Sequence, residues 1–173
     1  SCSPGAAGGR ARDQDCIVVG ELGGRGTIDA ALTAAQPGHI VCGTLHKPSA
    51  PKTIDRIIDV FPAGQQNQVR SGLAESLKGI VAQNLFKRID KPGRCAALEI
   101  LVVDSPIANP IREGKTHPIT AMMQIGKKKG NQPPDAAIME SLRQPTIAPQ
   151  QAYETAKDQT KIRACLKPPG DRR

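Results

Sequence analysis

Short apolar runs near the start of the chain predict a strand, a helix and a second strand in succession. Residues 16–19 are apolar and mostly β-branched, as expected for a parallel strand that is buried on both faces. Apolar residues at helical spacing follow over 28–35, with Thr27 as the expected N-cap. A second apolar run, 39–46, predicts the next strand, so that the three elements form a βαβ unit.

Helices and one hairpin are predicted for the rest of the chain. Pro51 can occupy the first turn of a helix that reaches Phe61, and a longer helix is predicted over 65–82. Two strands, 84–89 and 94–103, are separated by a Pro-Gly pair that suits a hairpin turn. The fold class is therefore α/β, with a mostly parallel sheet and a hairpin followed by a helical tail. The tail is expected to hold helices near 107–113, 119–125, 135–143 and 149–158.

The composition is that of a globular domain with a core of aliphatic residues. The chain has 173 residues, of which 38% are hydrophobic and 2% aromatic, and no apolar segment is long enough to cross a membrane. Residues 1–14 show no periodicity and predict a disordered or artificial leader. Five scattered cysteines without CxxC spacing favour reduced thiols over disulfides or a zinc site, and Cys16 and Cys42 are expected to lie in buried strands.

The net charge of +8 leaves three classes of partner open: nucleic acid, a phosphate-bearing ligand and an acidic protein surface. Basic residues are spread along the chain, apart from Lys127–Lys129 and the carboxyl terminus. Only Phe61, Phe86 and Tyr153 could stack on a base. A solvated basic face explains this distribution best, so no specific nucleic acid is expected as a partner, and a nucleic-acid-binding fragment is the weakest of the alternatives.

Chemically capable side chains follow the two predicted parallel strands. Glu21 comes after the first strand, Thr44 and His46 come at the end of the second, and His39 lies at its start. Open α/β sheets bind ligands outside the carboxyl ends of their strands, which favours Glu21, Thr44 and His46 as site residues. Taken alone, Glu21 could be a surface carboxylate, and the histidines could be polar residues of strand edges. No third ligand is suggested beside them, so a metal site is the least expected interpretation.

Five stretches of the chain resemble the motifs of one family, in the same order. Asp15–Glu21 (DCIVVGE) is similar to a Walker B segment, and Thr33–His46 (TAAQPGHIVCGTLH) to a histidine box. Lys52–Pro62 and Arg70–Gln83 are similar to stretches that follow that box, and Ser105–Glu113 (SPIANPIRE) to a segment associated with pilus retraction. The chain thus resembles the carboxy-terminal part of the type IV pilus retraction ATPases, the PilT group of the secretion-ATPase superfamily.

The resemblance implies an architecture and an assembly. Residues 15–104 would form the second half of a RecA-like P-loop ATPase core, 105–166 a helical carboxy-terminal lobe, and 167–173 a basic tail. The family works as a homo-oligomer, a hexameric ring, in which ATP and Mg²⁺ bind and hydrolysis drives pilus disassembly in twitching motility. The implied location is the cytoplasm, with peripheral attachment to the pilus machinery at the inner membrane.

The resemblance also implies roles for individual residues. Glu21 would be the catalytic Walker B glutamate that orients or activates the attacking water. Three residues would lie near the nucleotide: His39, His46 and Thr44. Four residues would belong to the retraction segment: Ile107, Ile111, Arg112 and Glu113. No residue is implied as a protein ligand of a resident metal.

Three features depart from the family pattern. The phosphate-binding motif G-x-x-x-x-G-K-[ST] does not occur in the 173 residues, so the chain is expected to be a truncated core that binds ATP poorly and is inactive alone. Leu22–Gly26 replaces the arginine and acidic residues expected after Glu21, and Pro110 falls inside the retraction helix. The alternative hypothesis is a non-catalytic module that docks on a ring ATPase or a pilus base.

Overall fold

The computed structural model describes residues 16–36, 38–144 and 146–166. The predicted leader, 1–14, and the predicted basic tail, 167–173, lie outside these residues. The described chain divides into two compact units, and the boundary predicted between residues 104 and 105 stays a prediction. Unit 1 takes in the residues up to Lys47, Pro51–Lys78 and Val103–Ile119, and unit 2 takes in Pro48–Ala50, Gly79–Val102 and the residues from Thr120 onward.

Unit 1 contains a short parallel strand pair joined by a helix. Strand β1 (Cys16–Val19) pairs in parallel with β2 (Ile40–Gly43), with Cys16 opposite Ile40 and Val19 opposite Gly43. Helix α1 (Arg25–Ala35) connects the strands and contacts β2. The predicted βαβ unit is confirmed, although β2 is shorter than the predicted strand over 39–46.

The expected burial of β1 on both faces is wrong. Ile17 is buried, but Val18 is 77% exposed, and the thiols of Cys16 and Cys42 are exposed as well. Within the described residues β1 pairs with β2 alone, and burial alternates along β1, so that one face of the pair is packed and the other is open. A short apolar run does not reveal how many faces of its strand will be covered.

The sequence predicted Thr27 as the N-cap of α1, and this prediction is wrong. The helix begins at Arg25, with Gly24 at the cap position in an extended conformation. Thr27 lies in the first turn, where its Oγ1 accepts a hydrogen bond from the Gly24 N–H (3.3 Å) and donates one to the Gly24 carbonyl (2.8 Å). The hydroxyl therefore supports the helix start from inside the first turn, because it binds the Gly24 N–H, which has no partner within the helix, and shares the Gly24 carbonyl with the Ile28 N–H.

Three more helices follow the predicted pattern at their starts. Helix α2 (Ala50–Asp59) has Pro51 in its first turn, where a missing N–H costs nothing. Helix α3 (Ala63–Ser76) packs against α4 (Ser105–Glu113) within unit 1. Asp104 caps α4 by accepting a hydrogen bond from the Ile107 N–H (3.3 Å), and the helix continues through Pro110 before it ends at the left-handed Gly114 (φ 71°).

The helix predicted over 65–82 is too long at its carboxyl end. Helix α3 stops at Ser76, Leu77 turns to an extended conformation, and strand β3 begins at Gly79. From there burial alternates with a period of two, since Ala82 and Phe86 are buried while the residues on the opposite face are exposed. The apolar residues 80 and 81 fit either period, so the pattern alone could not place the change.

Unit 2 is built on the predicted hairpin. Strand β3 (Gly79–Lys87) pairs antiparallel with β4 (Arg94–Val102), with Gly79 opposite Val102 and Lys87 opposite Arg94. Short helices follow: α5 (Ile119–Ile125), a 3₁₀ turn (Gly126–Lys129) with exposed lysines, and α6 (Pro134–Arg143). The core of the unit consists of side chains from the hairpin and the helices, namely Phe86, Ala97, Ile138, Ile147, Ala152, Ala156 and Ile162.

The last predicted helix, over 149–158, is shorter than expected, and the sequence did not predict the helix that follows it. Helix α7 (Pro149–Thr155) ends at Ala156, and α8 (Gln159–Leu166) begins three residues later. The break is held by Asp135, whose carboxylate accepts hydrogen bonds from the N–H groups of Lys157 and Asp158, both at 3.0 Å. Within the described ranges, no helix has the length and apolar character needed to span a membrane.

We expect Asn131→Ala to lower the free energy of unfolding by about 2 kcal/mol. Asn131 is only 5% exposed, and its side chain accepts a hydrogen bond from the Val102 N–H (2.7 Å) and donates one to the Gly126 carbonyl (3.2 Å). Truncation leaves both backbone groups without their partner. Urea denaturation measures the loss. Asn67→Ala, which removes an exposed bond to Arg70, serves as the control, and equal losses would contradict the buried role of Asn131.

Candidate functional site

The carboxyl ends of β1 and β2 are tied together beyond the strands. The Leu22 N–H donates a hydrogen bond to the Thr44 carbonyl (2.9 Å), and the Thr44 hydroxyl donates one to the Gly20 carbonyl. These bonds fix the segment after β1 against the segment after β2. Glu21 lies between the two bonded positions, so its backbone is held on both sides while its side chain extends into solvent.

Glu21 and His46 approach each other at this edge. The Nε2 atom of His46 lies 3.9 Å from Oε1 of Glu21, and their side chains are 87% and 62% exposed. At this exposure the attraction between the two groups contributes little to stability. The arrangement instead leaves a carboxylate, an imidazole and the Thr44 hydroxyl accessible to a ligand at the sheet edge where open α/β folds bind them.

A close packing contact supports the position of Glu21. A Cβ atom added to Gly43 would lie 2.8 Å from Cγ and Cδ1 of Leu22, the residue next to Glu21. We expect Gly43→Ala to displace Leu22 and to lower the free energy of unfolding by about 1–3 kcal/mol. Urea denaturation of Gly26→Ala gives the control, since a Cβ there meets open space. Equal free energies of unfolding for the two variants would show that Leu22 can move to accommodate the added Cβ without a loss of stability.

Arg25 is a residue of the edge that sequence reasoning missed. Its Nη2 donates a hydrogen bond to Oε1 of Gln65 (2.7 Å), and its guanidinium lies 5.8 Å from the centroid of the Phe61 ring. These contacts hold the guanidinium of Arg25, which lines a cleft of about 350 Å³ between α1 and α3. No local signal could have found them, because Gln65 is 40 residues away in sequence.

The remaining predicted site residues lie elsewhere. His39 precedes β2 and so lies at the end of the strand opposite to His46; its Nδ1 is buried and has no hydrogen-bond partner among the described residues. Ile107 and Ile111 are buried in α4, at 2% and 0% exposure, whereas Arg112 and Glu113 are exposed. Arg112 donates a hydrogen bond to Asn109 (3.2 Å), and Lys115 pairs with Glu113 (3.0 Å).

The donor set at the edge limits what it could hold. In the described part of the chain, no group of three or more His, Cys, Asp and Glu side chains could bind a metal ion. Glu21 with His46 and Thr44 offers one carboxylate, one imidazole and one hydroxyl, which suits a water molecule or the hydrated shell of Mg²⁺ rather than direct metal ligation. The chemistry available here is therefore proton acceptance and water orientation.

The sequence of this chain matches a known family over almost its whole length. Residues 10–166 match the family described as type II/IV secretion system protein. The chain belongs to that family. This match, together with the relatives and the solved structure described next, confirms the predicted resemblance to the PilT-type secretion ATPases.

Two bacterial proteins are similar to this chain in sequence. A twitching motility protein of Neisseria gonorrhoeae is 47% identical over 146 residues, which is 84% of this chain and 39% of that protein. The type IV pilus retraction ATPase PilT of Pseudomonas aeruginosa is 45% identical over 145 residues, 84% of this chain and 42% of that protein. The chain thus spans about two fifths of the length of these relatives.

A solved structure agrees in fold with this secretion-system chain. The crystal structure of the pilus retraction motor PilT with bound ADP superposes with a TM-score of 0.81 at 35% identity, covering 93% of this chain and 45% of that one. The ATPase DotB of Legionella pneumophila has a TM-score of 0.73 at 26% identity, over 86% of this chain and 40% of that one. The predicted fold class, a partial RecA-like α/β core with a helical tail, is confirmed.

Proposed function

We propose that this chain provides the water-handling side of the ATP site in a type IV pilus retraction motor. The observation that carries the proposal is the carboxyl edge of β1 and β2, where Glu21 stands 3.9 Å from His46 and is flanked by cross-strand hydrogen bonds to Thr44 and Gly20. The identity of 45–47% to a retraction ATPase and a twitching motility protein supports the choice of motor.

The proposed mechanism uses Glu21 as the residue that orients the attacking water. Its exposed carboxylate accepts a hydrogen bond from that water and aligns it with the terminal phosphate. His46 is placed to contact the water or the phosphate oxygens, and the Thr44 hydroxyl, which donates its proton to the Gly20 carbonyl, can accept a hydrogen bond from the water. ATP supplies the transferable phosphoryl group, and Mg²⁺ neutralises its charge when bound. The phosphates themselves would be held by a phosphate loop of the G-x-x-x-x-G-K-[ST] type, which the 173 residues do not contain.

The retraction segment is proposed to transmit the result of hydrolysis. Ile107 and Ile111 anchor α4 in unit 1, because both side chains are buried. This anchoring presents Arg112 and Glu113 on the exposed side of the helix, where a neighbouring subunit or the pilus machinery could contact them. We propose a hexameric ring in the cytoplasm, peripheral to the inner membrane, as the assembly in which these contacts are made.

A second candidate function is a non-catalytic module that docks on a ring ATPase or a pilus base. Two exposed charged residues of α4, Arg112 and Glu113, favour it, since a helix that is anchored by its buried face can present them to a partner without nucleotide chemistry. In that case the chain would retain the family's assembly surface without contributing to hydrolysis. The two functions differ in whether adding the chain to an active homologue changes the rate of ATP hydrolysis.

Mixing tests the proposed function. Phosphate release is measured for the full chain alone, for a phosphate-loop-bearing homologue alone, and for mixtures at increasing ratios of the two. The motor role predicts negligible hydrolysis by the chain alone and a rise in the rate per homologue subunit on mixing. A rate that stays constant at every ratio, with co-sedimentation of the two proteins, would instead establish the docking module.

A further inference from the structure

Glu99 is a buried carboxylate for which the proposed site has no use. It lies in β4, its side chain is 0% exposed, and its Oε1 accepts a hydrogen bond from the Ala50 N–H (3.0 Å). Oε2 accepts no hydrogen bond from the described residues. Burying an ionisable group in this way is costly unless a charge compensates it.

Lys157 supplies that charge. Its Nζ lies 3.9 Å from Oε2 of Glu99, at the turn between α7 and α8. The turn is fixed because Asp135, in the first turn of α6, accepts hydrogen bonds from the N–H groups of Lys157 and Asp158. Asp135 thus holds the backbone that aims the lysine at Glu99, and all of these residues belong to unit 2.

The segment Pro48–Ala50 is held by both strands of the hairpin. Besides the bond from Ala50 to Glu99 in β4, the Asn84 side chain in β3 donates a hydrogen bond to the Pro48 carbonyl (3.4 Å). This segment belongs to unit 2, although the residues on either side of it in sequence belong to unit 1.

Protonation of Glu99 changes the strength of this attachment. Burial is the main influence on Glu99 and raises its pKa above the ordinary value of a glutamate; the Ala50 N–H and Lys157 lower it in part, and Asp135 adds to the rise. The ionised carboxylate accepts a charge-assisted bond from Ala50 and attracts Lys157, whereas the protonated carboxyl does neither as strongly. Since the pKa is raised, the change occurs at a higher pH than for an exposed glutamate.

We propose that Glu99 and Lys157 form a protonation-dependent clasp on the segment Pro48–Ala50, which makes Glu99 a positioning residue for that segment. The clasp itself is defined by contacts within unit 2 and does not depend on nucleotide.

Hydrogen exchange tests the clasp. The protection factor of the Ala50 amide is measured by NMR on the full chain from about pH 4 to about pH 8. In the wild type it is expected to fall about tenfold as the pH drops through the titration of Glu99, because local opening breaks the Ala50 bond while Glu99 stays buried. Global unfolding exposes Glu99 and therefore has the opposite pH dependence. Glu99→Gln keeps an acceptor oxygen but cannot ionise, so its protection factor should stay constant with pH. Identical profiles for the wild type and Glu99→Gln would overturn the proposal.

Lys157 variants separate the clasp from a merely structural effect. Lys157→Met should move the midpoint of the Ala50 profile upward by about one pH unit, because the carboxylate loses its compensating charge, and Lys157→Arg should restore it. Lys161→Met is the matched control. Lys161 pairs with Asp158 at 3.0 Å, a shorter distance than that between Lys157 and Glu99, but both side chains of this pair are partly exposed, so the midpoint of the Ala50 profile should not move. A midpoint that Lys157→Met leaves unmoved would overturn the proposal. Because the assay contains no nucleotide, its failure is distinct from failure of the proposed function.

The same group sets a pH dependence of global stability. A carboxyl whose pKa is raised on folding contributes stability that is present below its unfolded pKa and lost as the pH rises through its folded pKa. Glu99→Gln is therefore expected to raise the urea midpoint relative to the wild type at about pH 8 and to leave it unchanged at about pH 4. A midpoint lowered at about pH 8 would show that the Lys157 contact outweighs the cost of burial.

Discussion

Glu21→Gln is expected to lower the chain-dependent part of ATP hydrolysis in the mixed assembly, that is, the rate above that of the homologue alone, at least about 100-fold, within the range that a positioned general base contributes. Glutamine has nearly the same shape but cannot accept the proton of the attacking water. The side chain is 62% exposed, so the substitution should leave the fold intact. Phosphate release is measured at saturating ATP, with equal amounts of the wild-type and variant chain added to the same homologue.

Glu154→Gln provides the matched control for Glu21→Gln. Glu154 is an exposed glutamate of α7 whose carboxylate accepts a hydrogen bond from Gln150 (2.7 Å), and a glutamine carbonyl can accept the same bond. The change in charge is identical, but the residue has no part in the proposed site. We expect hydrolysis within about twofold of the wild type, since surface substitutions away from special features have small effects. Equal losses in both variants would indicate a charge effect unrelated to water orientation.

Phe86→Ala is expected to lower the free energy of unfolding by about 3–5 kcal/mol, the largest stability effect we predict. Phe86 is 1% exposed and lies in the core of unit 2, in the same cluster as Ile138 and Ile162. Removing the ring sacrifices its burial and leaves a cavity that a β-hairpin cannot easily collapse around. Urea denaturation followed by circular dichroism measures the loss.

Leu85→Ala tests whether the loss at Phe86 comes from burial. Leu85 is the preceding residue of β3, points to the opposite face of the sheet and is 58% exposed. A strand places successive side chains on opposite faces, so the two variants differ in burial but little in strand propensity. We expect a loss below about 1 kcal/mol at Leu85. Comparable losses would mean that Phe86 is not a core residue.

Elements with strong local signals could be predicted from the sequence, and ambiguous ones could not. The Pro-Gly turn located the hairpin, and Pro51 located the start of α2, because both residues restrict the backbone directly. The predicted carboxyl end of α3 was wrong because the apolar residues after Leu77 fit both the helical and the strand period. The predicted burial of β1 on both faces was wrong because burial depends on the elements that pack against a strand, and the strand's own residues do not specify these.

Some features of the candidate site could likewise be predicted from the sequence, and others could not. The grouping of Glu21, Thr44 and His46 follows from topology, since the carboxyl ends of neighbouring parallel strands share one edge. The clasp of Glu99 and Lys157 could not be predicted, because it joins a strand to a distant turn. Sequence identifies such a pair only as two ordinary charged residues. The burial of Glu99 and its distance to Lys157 are the observations on which we base their proposed role.

The most direct test of the central claim is complementation of a homologue that lacks its own catalytic glutamate. The homologue keeps its phosphate loop, and the glutamate equivalent to Glu21 is replaced with glutamine, so that it hydrolyses ATP very slowly. Adding the wild-type chain is predicted to restore phosphate release, whereas adding the Glu21→Gln chain is predicted to restore none. Equal phosphate release with the two chains, or no release with either while both co-sediment with the homologue, would contradict the claim that this chain provides the water-handling side of the site.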